Sequence, residues 1–483
     1  MMRNLTIVKR SLILLLVVLT TSCKDQKTEH ANVVPPTPPA TEKSEVSLWL
    51  TNADKSALFQ KQSVNLEFKN GTNNDPTIAV DSTVSYQTID GFGYTLTGGS
   101  ASLINGLNVE SKDALLKELF ATDGNNIGVN YLRISIGASD LSAYPFTYDE
   151  VPGNETDINL QKFTLAEEIK DMIPILKKIV AINPALKILG SPWTAPTWMK
   201  TNRGYIGGRL KPEYYQVYAQ YLAKYIKAMK QEGITIDAIT PQNEPLHDGN
   251  EPSMAMSATE QKNFIKNNLG PVFKQEGLQT KIIIYDHNAD RPDYPLEILN
   301  DPAAKAYVDG SAFHLYGGKI EALTEVRNAH PDKGIYFTEQ WVGAPGNFGG
   351  DLKWHLELLI IGATRNWSRN VLEWNLAADL NNGPHTPGGC HQCLGAITIN
   401  NTVSRNVAYY IIAHASKFVR SGSVRIASNM IADLPNVAFK TPEGKKVLIV
   451  LNKSDFKQAF NIRFKDKMIS TSLKAGSAGT YVW

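Results

Sequence analysis

The sequence predicts an α/β protein: a (β/α)8 TIM barrel with a side β-sandwich domain. Eight short apolar segments alternate with amphipathic helical segments between residues 81 and 405. The apolar segments are nearly continuous, which is the pattern of strands that are buried on both faces. Beyond residue 405 the helical pattern gives way to short β-like segments separated by turns, which indicates a separate β-domain.

The composition is that of a globular protein with enough material for a large core. The chain has 483 residues, of which 42% are hydrophobic and 20% charged, and this length suits one large domain with a smaller one. Lys and Arg number 49 against 47 Asp and Glu, for a formal net charge of +2. Because nucleic-acid binding usually needs a strongly basic surface, this balance predicts no nucleic-acid partner.

The first 23 residues predict a lipoprotein signal peptide. Arg3, Lys9 and Arg10 precede the run SLILLLVVLTTS, which is apolar but too short to span a bilayer. The stretch LTTSC looks like a bacterial lipoprotein box that ends at Cys23, although Leu19 lies one position earlier than usual. We therefore expect Cys23 to be lipidated, and a plain cleaved signal peptide is the alternative.

Residues 24–44 predict an extended tether. The segment is polar and contains Pro35, Pro36, Pro38 and Pro39, so it cannot bury a core. A tethered and lipid-anchored domain implies export. We expect the protein at the bacterial cell envelope, on the outer-membrane surface or in the periplasm, with the lipid anchor as its only contact with the membrane.

Residues 81–405 supply the strands and helices of the predicted barrel. The strand candidates are, in chain order, TIDGFGYTL, VNYLRISIG, KILGSP, IDAITPQNE, KIIIYDHN, GSAFHLY, GIYFTE and VLEWNLA. Helical spacing between the second and third strands aligns the apolar residues Leu165, Ile169, Met172, Leu176 and Ile179. A doubly wound open sheet shares this alternation, but no GxGxxG follows the first strand, which disfavours a dinucleotide-binding fold.

The remaining segments predict the side β-domain. Residues 406–483 contain the β-like stretches SVRIAS, VAFKT, KVLIVLN, AFNIRF and GTYVW. Within them Phe460, Ile462 and Phe464 alternate as in a half-buried strand. Residues 45–80, before the barrel, are also strand-like, and we expect them to pair with this domain.

Carboxylates stand out at the ends of the predicted strands, where the active sites of TIM barrels lie. Asp90 lies in the first strand, Glu244 ends the fourth and Glu339 ends the seventh, and Glu373 in the eighth is a further candidate. Two carboxylates across a cleft suit glycoside hydrolysis, because one protonates the departing oxygen and the other attacks or stabilises the sugar carbon. The fourth and seventh strands of a closed barrel face each other across its mouth, so Glu244 and Glu339 are the favoured pair.

Tryptophans near the same strand ends favour a sugar site. Trp193 and Trp198 end the third strand, while Trp341 and Trp374 lie beside the seventh and eighth. Flat rings stack on the apolar face of a sugar ring, so rings around a carboxylate pair suit carbohydrate binding. Packing within the barrel is the alternative, chiefly for Trp198.

Taken together, these segments resemble glycoside hydrolase family 30, which includes lysosomal glucosylceramidase and bacterial and fungal β-1,6-glucanases. The shared stretches follow the family order: QTIDGFG, YLRISIG, SPWTAPTWMKTN, PQNEP, FHLYGG, FTEQW, EWNLA, AHASKFVRSGS and AGTYVW. The resemblance implies a (β/α)8 barrel with a side β-domain assembled from both chain ends. That architecture agrees with the prediction from the apolar pattern.

The resemblance also implies the roles of individual residues in a retaining double displacement. Glu244 matches the general acid/base and Glu339 the nucleophile, while Asn243 matches the asparagine that binds the sugar 2-hydroxyl. The other positions implied to bind substrate or to support the nucleophile are Arg133, Trp193, His314, Tyr316 and Trp374, to which Trp341 is added because of its place beside the seventh strand. His314 is either a site-lining imidazole or a structural histidine. No metal site and no organic cofactor are implied.

Departures from the glucosylceramidase pattern argue against a glucosylceramide-type exo pocket, and the segment NNGPHTPGGCHQCLGAITI resembles the glucanase-type members of the family. Gly98 or Gly99 stands where the resemblance to those enzymes leads us to expect an acidic sugar ligand, and Leu315 stands where they often have tryptophan. We therefore expect a retaining endo-β-1,6-glucanase. The alternatives within the family are a β-glucosidase or glucosylceramidase, a β-xylosidase, a xylanase and a β-1,6-galactanase. An inactive surface glycan-binding lipoprotein is the remaining alternative, and the presence of both Glu244 and Glu339 favours an enzyme instead.

Cys390 and Cys393 form a lone CxxC in the loop after the eighth strand. Zinc usually needs four ligands, and His391 does not supply the missing pair. A thioredoxin-like βαβ context for a redox motif is also absent from the sequence pattern. In an exported protein a short-loop disulfide is the favoured interpretation, and it would stiffen a loop beside the eighth strand.

Overall fold

The computed structural model describes residues 44–483. The predicted signal peptide with Cys23, and the tether up to residue 43, lie outside the described residues. Among those described, no helix has the length and apolar character needed to cross a membrane. The strands are β1 (Ser47–Thr51), β2 (Gln60–Lys61), β3 (Thr77–Thr88), β4 (Gly91–Leu96), β5 (Tyr131–Ser135), β6 (Lys187–Ser191), β7 (Ala238–Ile239), β8 (Lys281–Ala289), β9 (Gly310–Gly318), β10 (Gly334–Glu339), β11 (Val342–Gly343), β12 (Ser368–Asn375), β13 (Ala377–Ala378), β14 (Cys393–Leu394), β15 (Ile397–Ile399), β16 (Val403–Arg405), β17 (Val424–Ser428), β18 (Asn436–Lys440), β19 (Lys446–Leu451), β20 (Gln458–Phe464), β21 (Lys467–Leu473) and β22 (Ala478–Val482).

Helices connect most of the barrel strands. The α-helices are α1 (Gly98–Asn105), α2 (Val109–Phe120), α3 (Ala166–Lys170), α4 (Met172–Ile182), α5 (Tyr215–Gln231), α6 (Ala258–Phe264), α7 (Gly270–Gln275), α8 (Asp293–Leu299), α9 (Pro302–Lys305), α10 (Ala322–Ala329), α11 (Phe348–His355) and α12 (Val407–Ser416). Short 3₁₀ turns cover Thr197–Met199 and Pro212–Tyr214, and π-helical stretches cover Ile265–Leu269 and Leu356–Ala363.

Eight parallel strands close into a barrel in the order β4, β5, β6, β7, β8, β9, β10, β12. Every residue of β4 and β5 is buried, because the barrel interior covers one face and the surrounding helices cover the other. A layer of buried side chains fills the inside of the barrel: Tyr131, Leu189, Ala238, Ile283, Ala312, Tyr336 and Leu372. The closed barrel predicted from the alternating segments is confirmed.

A nine-stranded sheet forms the side β-domain and joins both ends of the described chain. Its strand order is β2, β1, β22, β19, β18, β17, β3, β20, β21. β1 pairs antiparallel with β22, so that Trp49 lies opposite Thr480. The sheet folds over a core of its own, in which the ring centroids of Tyr481 and Phe460 lie 6.1 Å apart. The predicted sandwich built from both chain ends is confirmed.

The structure places two domain boundaries elsewhere than at residues 81 and 406. β3 extends the side sheet to Thr88, which pairs with Val424 of β17, so that the first barrel strand begins only at Gly91. α12 belongs with the barrel, because the Tyr94 hydroxyl of β4 donates to the Ala408 carbonyl oxygen over 3.1 Å. The second half of β3 is largely exposed, and its short alternation of Val84 and Tyr86 with polar residues did not distinguish the side sheet from the start of the barrel.

The predicted helix between the second and third barrel strands is divided into two helices. α3 ends at Lys170 and α4 begins at Met172, and the intervening Asp171 has a non-helical φ of −134°. Ile169 is 55% exposed, whereas Leu176 and Ile179 are fully buried. The break shifts α3 out of the register of α4, so the prediction that Ile169 belongs to the buried face is wrong.

Candidate active site

The carboxyl ends of the barrel strands surround a cleft of about 360 Å³. Arg133 and His314 lie beneath it, fully buried, and each approaches Glu339 within hydrogen-bonding or ionic distance, at 2.5 Å and 3.9 Å. The structure therefore brings all nine predicted catalytic and substrate-binding residues to one place. Those that line the cleft directly are Trp193, Asn243, Glu244, Tyr316, Glu339, Trp341 and Trp374.

Glu244 lies after β7 in a strained backbone conformation, which backbone hydrogen bonds hold in place. Its φ of 44° lies in the left-handed region, which costs a non-glycine residue about 1–3 kcal/mol. Its amide donates to the Asp286 carbonyl oxygen over 3.0 Å, and the amide of Asn243 donates to the Pro192 carbonyl oxygen over 2.8 Å. Pro245 offers no further amide, so regular pairing ends here. These contacts hold the two polar side chains at the floor of the cleft.

Glu339 ends β10, and both of its carboxylate oxygens are hydrogen-bonded. Oε2 accepts from Nη1 of Arg133 over 2.5 Å, and Oε1 accepts from the Tyr316 hydroxyl over 3.0 Å. Although 40% of Tyr316 is exposed, burial of its hydroxyl group and the charge of Glu339 raise the pKa of Tyr316 well above its ordinary value. Tyr316 therefore remains protonated and donates to Glu339.

Arg133 connects the nucleophile candidate to the other strand ends. Its Nη2 donates to Oδ1 of Asn243 over 2.6 Å and to Oδ2 of Asp286 over 2.8 Å. Its guanidinium carbon lies 4.7 Å from the ring centroid of Trp193, which is a cation–π distance. One buried cation thus orients an amide, two carboxylates and an aromatic wall of the cleft.

Asp286, which the sequence analysis did not single out, is the hub of the polar network below the cleft. Its carboxylate accepts hydrogen bonds from five side chains: Arg133, Ser191, Thr240, His314 and Thr338. Tyr285 and Asp286 both have positive φ, of 75° and 63°, and the register between β8 and β9 shifts at this point. The resulting bulge directs the Asp286 carboxylate into the barrel.

His314 lies between three carboxylates. Its Nδ1 is 3.2 Å from Oε1 of Glu244 and 3.9 Å from Oε1 of Glu339, and its Nε2 is 3.0 Å from Oδ1 of Asp286. Burial alone would lower the pKa of His314, but the charge of Glu339 and the hydrogen bonds to Asp286 and Glu244 outweigh it and raise the pKa to about 9. His314 therefore carries a proton at neutral pH, next to the acid/base candidate.

The two catalytic candidates have different electrostatic surroundings. Burial raises the pKa of Glu244, but the imidazoles of His287 and His314, whose Nδ1 atoms lie 3.7 Å and 3.2 Å from its Oε1, outweigh burial, so this pKa lies below its ordinary value. For Glu339, burial and the charge of Glu244 outweigh the effects of His314 and Arg133, so its pKa lies above its ordinary value. Glu244 thus lies next to two imidazoles that favour its charged form, whereas burial and a like charge disfavour the charged form of Glu339.

Aromatic rings and the loop after β12 form one wall of the cleft. Trp193 and Trp374 are stacked with centroids 5.4 Å apart, and both are almost fully buried. Trp341 packs against them together with Cys390 and Cys393, which are joined by a disulfide bond. The disulfide therefore lies in the cleft wall itself.

Asp140, in the loop after β5, is a further carboxyl group of the cleft that the sequence analysis missed. It is 5% exposed, and Oδ2 accepts from the Cys390 amide over 3.3 Å. Burial and the charges of Glu339 and Glu244 raise the pKa of Asp140 to about 7. Perturbation of this kind is typical of functional carboxyl groups when it coincides with a cleft.

Gly98 and Gly99 lie against the loop that carries Asp140. A Cβ on Gly99 would lie 2.8 Å from the Leu141 carbonyl oxygen, and one on Gly98 would lie 2.8 Å from the Ser142 hydroxyl. Asp140 supplies an acidic group to the cleft from this loop.

Two other acidic candidates and one tryptophan lie outside the site. Asp90 precedes β4 at the opposite end of the barrel and forms an ion pair with Arg369 over 2.7 Å. Glu373 points away from the cleft and lies 2.8 Å from Nδ1 of His355. Trp198 is fully buried and packs edge-on against Tyr214, so its role is in packing. Asp90 and Trp198 are separated from the site by their position, and Glu373 by the direction of its side chain within β12.

Comparison with known proteins identifies the domains. Residues 89–419 match the sequence model of the glycosyl hydrolase family 30 TIM-barrel domain, and residues 422–481 match that of the family 30 beta sandwich domain. The structure of the endo-beta1,6-glucanase BT3312 superposes with a TM-score of 0.84 and 36% identity, covering 91% of this chain and 99% of that chain.

Two relatives differ in their activities. An endo-1,6-beta-D-glucanase of Neurospora crassa is 36% identical over 409 residues, covering 79% of this chain and 83% of that protein. The lysosomal acid glucosylceramidase of Mus musculus is 28% identical over 429 residues, covering 82% and 81%. Together with the barrel, the sandwich and the paired carboxylates, these matches show that the chain belongs to glycoside hydrolase family 30 and is a glycoside hydrolase.

Proposed function

We propose that this glycoside hydrolase is a retaining endo-β-1,6-glucanase, in which Glu339 is the nucleophile and Glu244 the general acid/base. The observation that carries the specificity is the higher identity to the endo-1,6-β-glucanases than to the mouse glucosylceramidase. The observation that carries the mechanism is the pair of carboxylates that converge on His314.

The spacing of the carboxylates supports retention. Their Oε1 atoms lie 3.2 Å and 3.9 Å from Nδ1 of His314. The distance between the two Oε1 atoms is therefore at most the sum of these two distances. That limit includes the roughly 5–5.5 Å of retaining glycosidases and excludes the upper part of the roughly 6.5–9.5 Å range of inverting enzymes.

In the first step, an oxygen of Glu339 attacks the anomeric carbon and forms a glycosyl-enzyme ester. The bond from that carbon to the leaving oxygen breaks, and Glu244 transfers its proton to the leaving oxygen. Arg133 and Tyr316 are positioning residues for Glu339, since each occupies one of its oxygens. Oδ1 of Asn243 is held by Arg133, which leaves the Asn243 amide group to donate to the sugar 2-hydroxyl.

In the second step, Glu244 removes a proton from water as the water oxygen attacks the anomeric carbon. The ester bond to Glu339 breaks, the sugar leaves with retained configuration, and Glu244 is again protonated. His314 lies beside the acid/base, with its Nδ1 3.2 Å from Oε1 of Glu244, and holds the Glu244 carboxylate in position for this proton removal.

Incubation with polymeric β-1,6-glucan tests the proposal. We expect oligosaccharides of mixed length from the wild-type protein, no products from Glu339→Ala, and little release from β-1,3-glucan. The β-configuration of the first-formed reducing ends, followed by nuclear magnetic resonance, reports retention. Glucose as the only early product would contradict endo action, and products from xylan or β-1,6-galactan alone would contradict the β-1,6-glucan assignment.

We also propose that the protein is exported and lipid-anchored at Cys23. This proposal rests on the basic, apolar and LTTSC segments of residues 1–23 and on the proline-rich tether. In a bacterial host, labelled palmitate should be incorporated into the full chain and not into Cys23→Ala. Recovery of the wild-type protein from the soluble fraction without label would contradict the anchor.

A further inference from the structure

Glu244, His287 and His314 form a buried cluster with the geometry of a metal site. One donor atom from each residue lies within 4.8 Å of the others. Oε1 of Glu244 is 3.2 Å from Nδ1 of His314 and 3.7 Å from Nδ1 of His287. In a tetrahedral zinc site with metal–ligand bonds of about 2.0–2.1 Å, neighbouring ligand atoms lie about 3.4 Å apart. The two measured distances lie on either side of that value.

Nδ1 of His287 is a possible metal ligand without a hydrogen-bond partner, and it faces Oε1 of Glu244. It is 7% exposed and lines the cleft, yet within residues 44–483 its Nδ1 has no hydrogen-bond partner. Leaving a buried ring nitrogen unpaired is unfavourable unless another group or ion completes its coordination. The vacant coordination of His287 is therefore an observation independent of the spacing of the three residues.

Asp286 completes the arrangement typical of a metal-binding histidine. It accepts from Nε2 of His314, which fixes the ring so that Nδ1 faces Glu244. Metal-ligating histidines usually donate their second ring nitrogen to a carboxylate in this way. Three carboxylates, those of Glu244, Asp286 and Glu339, surround His314, whereas Arg133 is the permanent cation of the network. The local charge therefore favours a dication.

We propose that Glu244, His287 and His314 bind a transition-metal dication of the Zn²⁺ class, with a fourth position open to the cleft. Nδ1 of each histidine and Oε1 of Glu244 donate electron pairs to the ion. The proton held between His314 and Glu244 is released to solvent, and no group is oxidised or reduced. Imidazole with a single carboxylate suits zinc, cobalt or copper better than magnesium or calcium.

Occupancy of this site blocks hydrolysis. An ion bound at Oε1 of Glu244 occupies the carboxylate that must meet the leaving oxygen, so the first step of the proposed reaction stops. The cation is thus a reversible inhibitor and takes no part in the proposed reaction. Binding does not depend on the proposed function, whereas the inhibition rests on it.

Cobalt is the direct probe, because Co²⁺ in a site of low coordination number absorbs visible light. We expect wild-type protein, titrated with up to millimolar Co²⁺, to develop this absorption with one ion per chain and to lose it on addition of Zn²⁺. His287→Ala and the bulkier His287→Asn should each weaken Co²⁺ binding by at least about 100-fold. The control is His247→Ala, since His247 lines the same cleft outside the cluster and its removal should leave the titration unchanged.

The outcomes separate the metal site from the reaction. No absorption with the wild-type protein, or equal binding by a folded His287→Asn, overturns the site. Co²⁺ binding by a protein that does not cleave β-1,6-glucan overturns the proposed function and leaves the site standing. Binding to an active enzyme that Zn²⁺ does not inhibit overturns the link between occupancy and loss of activity.

Discussion

At the residue scale, the proposed roles of Glu244 and Glu339 predict different kinetic losses. Glu244→Ala should lower kcat on β-1,6-glucan by about 10²- to 10⁴-fold, because the leaving sugar oxygen needs a proton. The loss should be much smaller on a dinitrophenyl β-gentiobioside, whose leaving group departs without protonation. Glu339→Ala should abolish the hydrolysis of both substrates, since no ester can form.

The control for this pair is Asp248→Ala. Asp248 is an exposed acidic residue four positions after Glu244 and does not line the cleft. It should retain wild-type kcat on both substrates. Equal losses on the two substrates for Glu244→Ala would rule out its role as the acid.

Removal of the Asp286 carboxylate should lower the free energy of unfolding substantially. Its ion pair with Arg133 is fully buried on both sides, and removing one member of such a pair costs about 3–5 kcal/mol because the other charge is left without compensation. Asp286→Ala should lower the free energy of unfolding, measured with urea at neutral pH, by this amount. Asp237→Ala, which breaks a partly exposed pair with Lys187 at the far end of the barrel, should cost only about 1 kcal/mol.

Some residues of the site can be identified from the sequence pattern, and others cannot. Glu244 and Glu339 are recognisable because each ends an apolar strand of a predicted barrel. Asp286 also follows an apolar run, in KIIIYDHN, and the same rule would have found it. Asp140 lies five residues beyond the end of β5 in an irregular loop, and no spacing rule connects it to Glu244.

At the element scale, the loop that follows β12 predicts a loss of activity when its disulfide is removed. Closing so short a loop stabilises the fold by only about 2 kcal/mol in the chain-entropy account. The loop nonetheless presents the Cys390 amide to Asp140 and packs Cys393 against the tryptophan wall. The double variant Cys390→Ser, Cys393→Ser should remain folded and should lose about tenfold in kcat/KM for the polymer, which corresponds to about 1.4 kcal/mol of transition-state stabilisation.

A reductant provides the matched control for this loop. Dithiothreitol should lower the activity of the wild-type protein towards that of the double variant and leave the double variant unchanged. Wild-type kcat/KM in the double variant would show that the loop keeps its shape without the bond.

Elements also differ in how well their sequences predict them. The long apolar segments became β4, β5, β6, β8, β9 and β10 because a strand buried on two faces leaves a continuous apolar run. α3 and α4 share one helical pattern across a break at Asp171, because periodicity records which residues are apolar and does not record a kink. β3 is largely exposed over its second half, where its neighbours in the sheet support it through backbone hydrogen bonds.

At the scale of the whole molecule, His414 joins the barrel to two adjacent strands of the side sheet, β1 and β22, which come from opposite ends of the described chain. It lies in α12, and its ring nitrogens are each 2.8 Å from a threonine hydroxyl, that of Thr480 in β22 and that of Thr51 in β1. Burial lowers the pKa of His414 to about 3, so the folded protein holds it neutral. The interface is therefore sensitive to acid.

The sign of this effect follows from proton binding. In the unfolded chain His414 takes up a proton near pH 6.5, whereas in the folded protein it does so only near pH 3, so stability falls as the pH drops between these values. The slope is up to about 1.4 kcal/mol per pH unit. His414→Gln, which keeps a hydrogen-bonding side chain, should flatten this part of the urea-unfolding profile, and exposed His247→Gln should not. A profile unchanged by His414→Gln would exclude His414 as the source.

The sequence alone determined the barrel, the sandwich and the paired carboxylates of this glycoside hydrolase. Those features rest on local chemistry: apolar runs need burial on two faces, and a polar residue after such a run must lie at the mouth of the barrel. Only the tertiary structure decided which further carboxylates join that pair, because the directions of Glu373 and Asp286 depend on register and on the bulge in β8. It also decided that Asp140 belongs to the cleft and that Thr88 is still part of the side sheet, since contacts between residues far apart in the chain leave no local pattern.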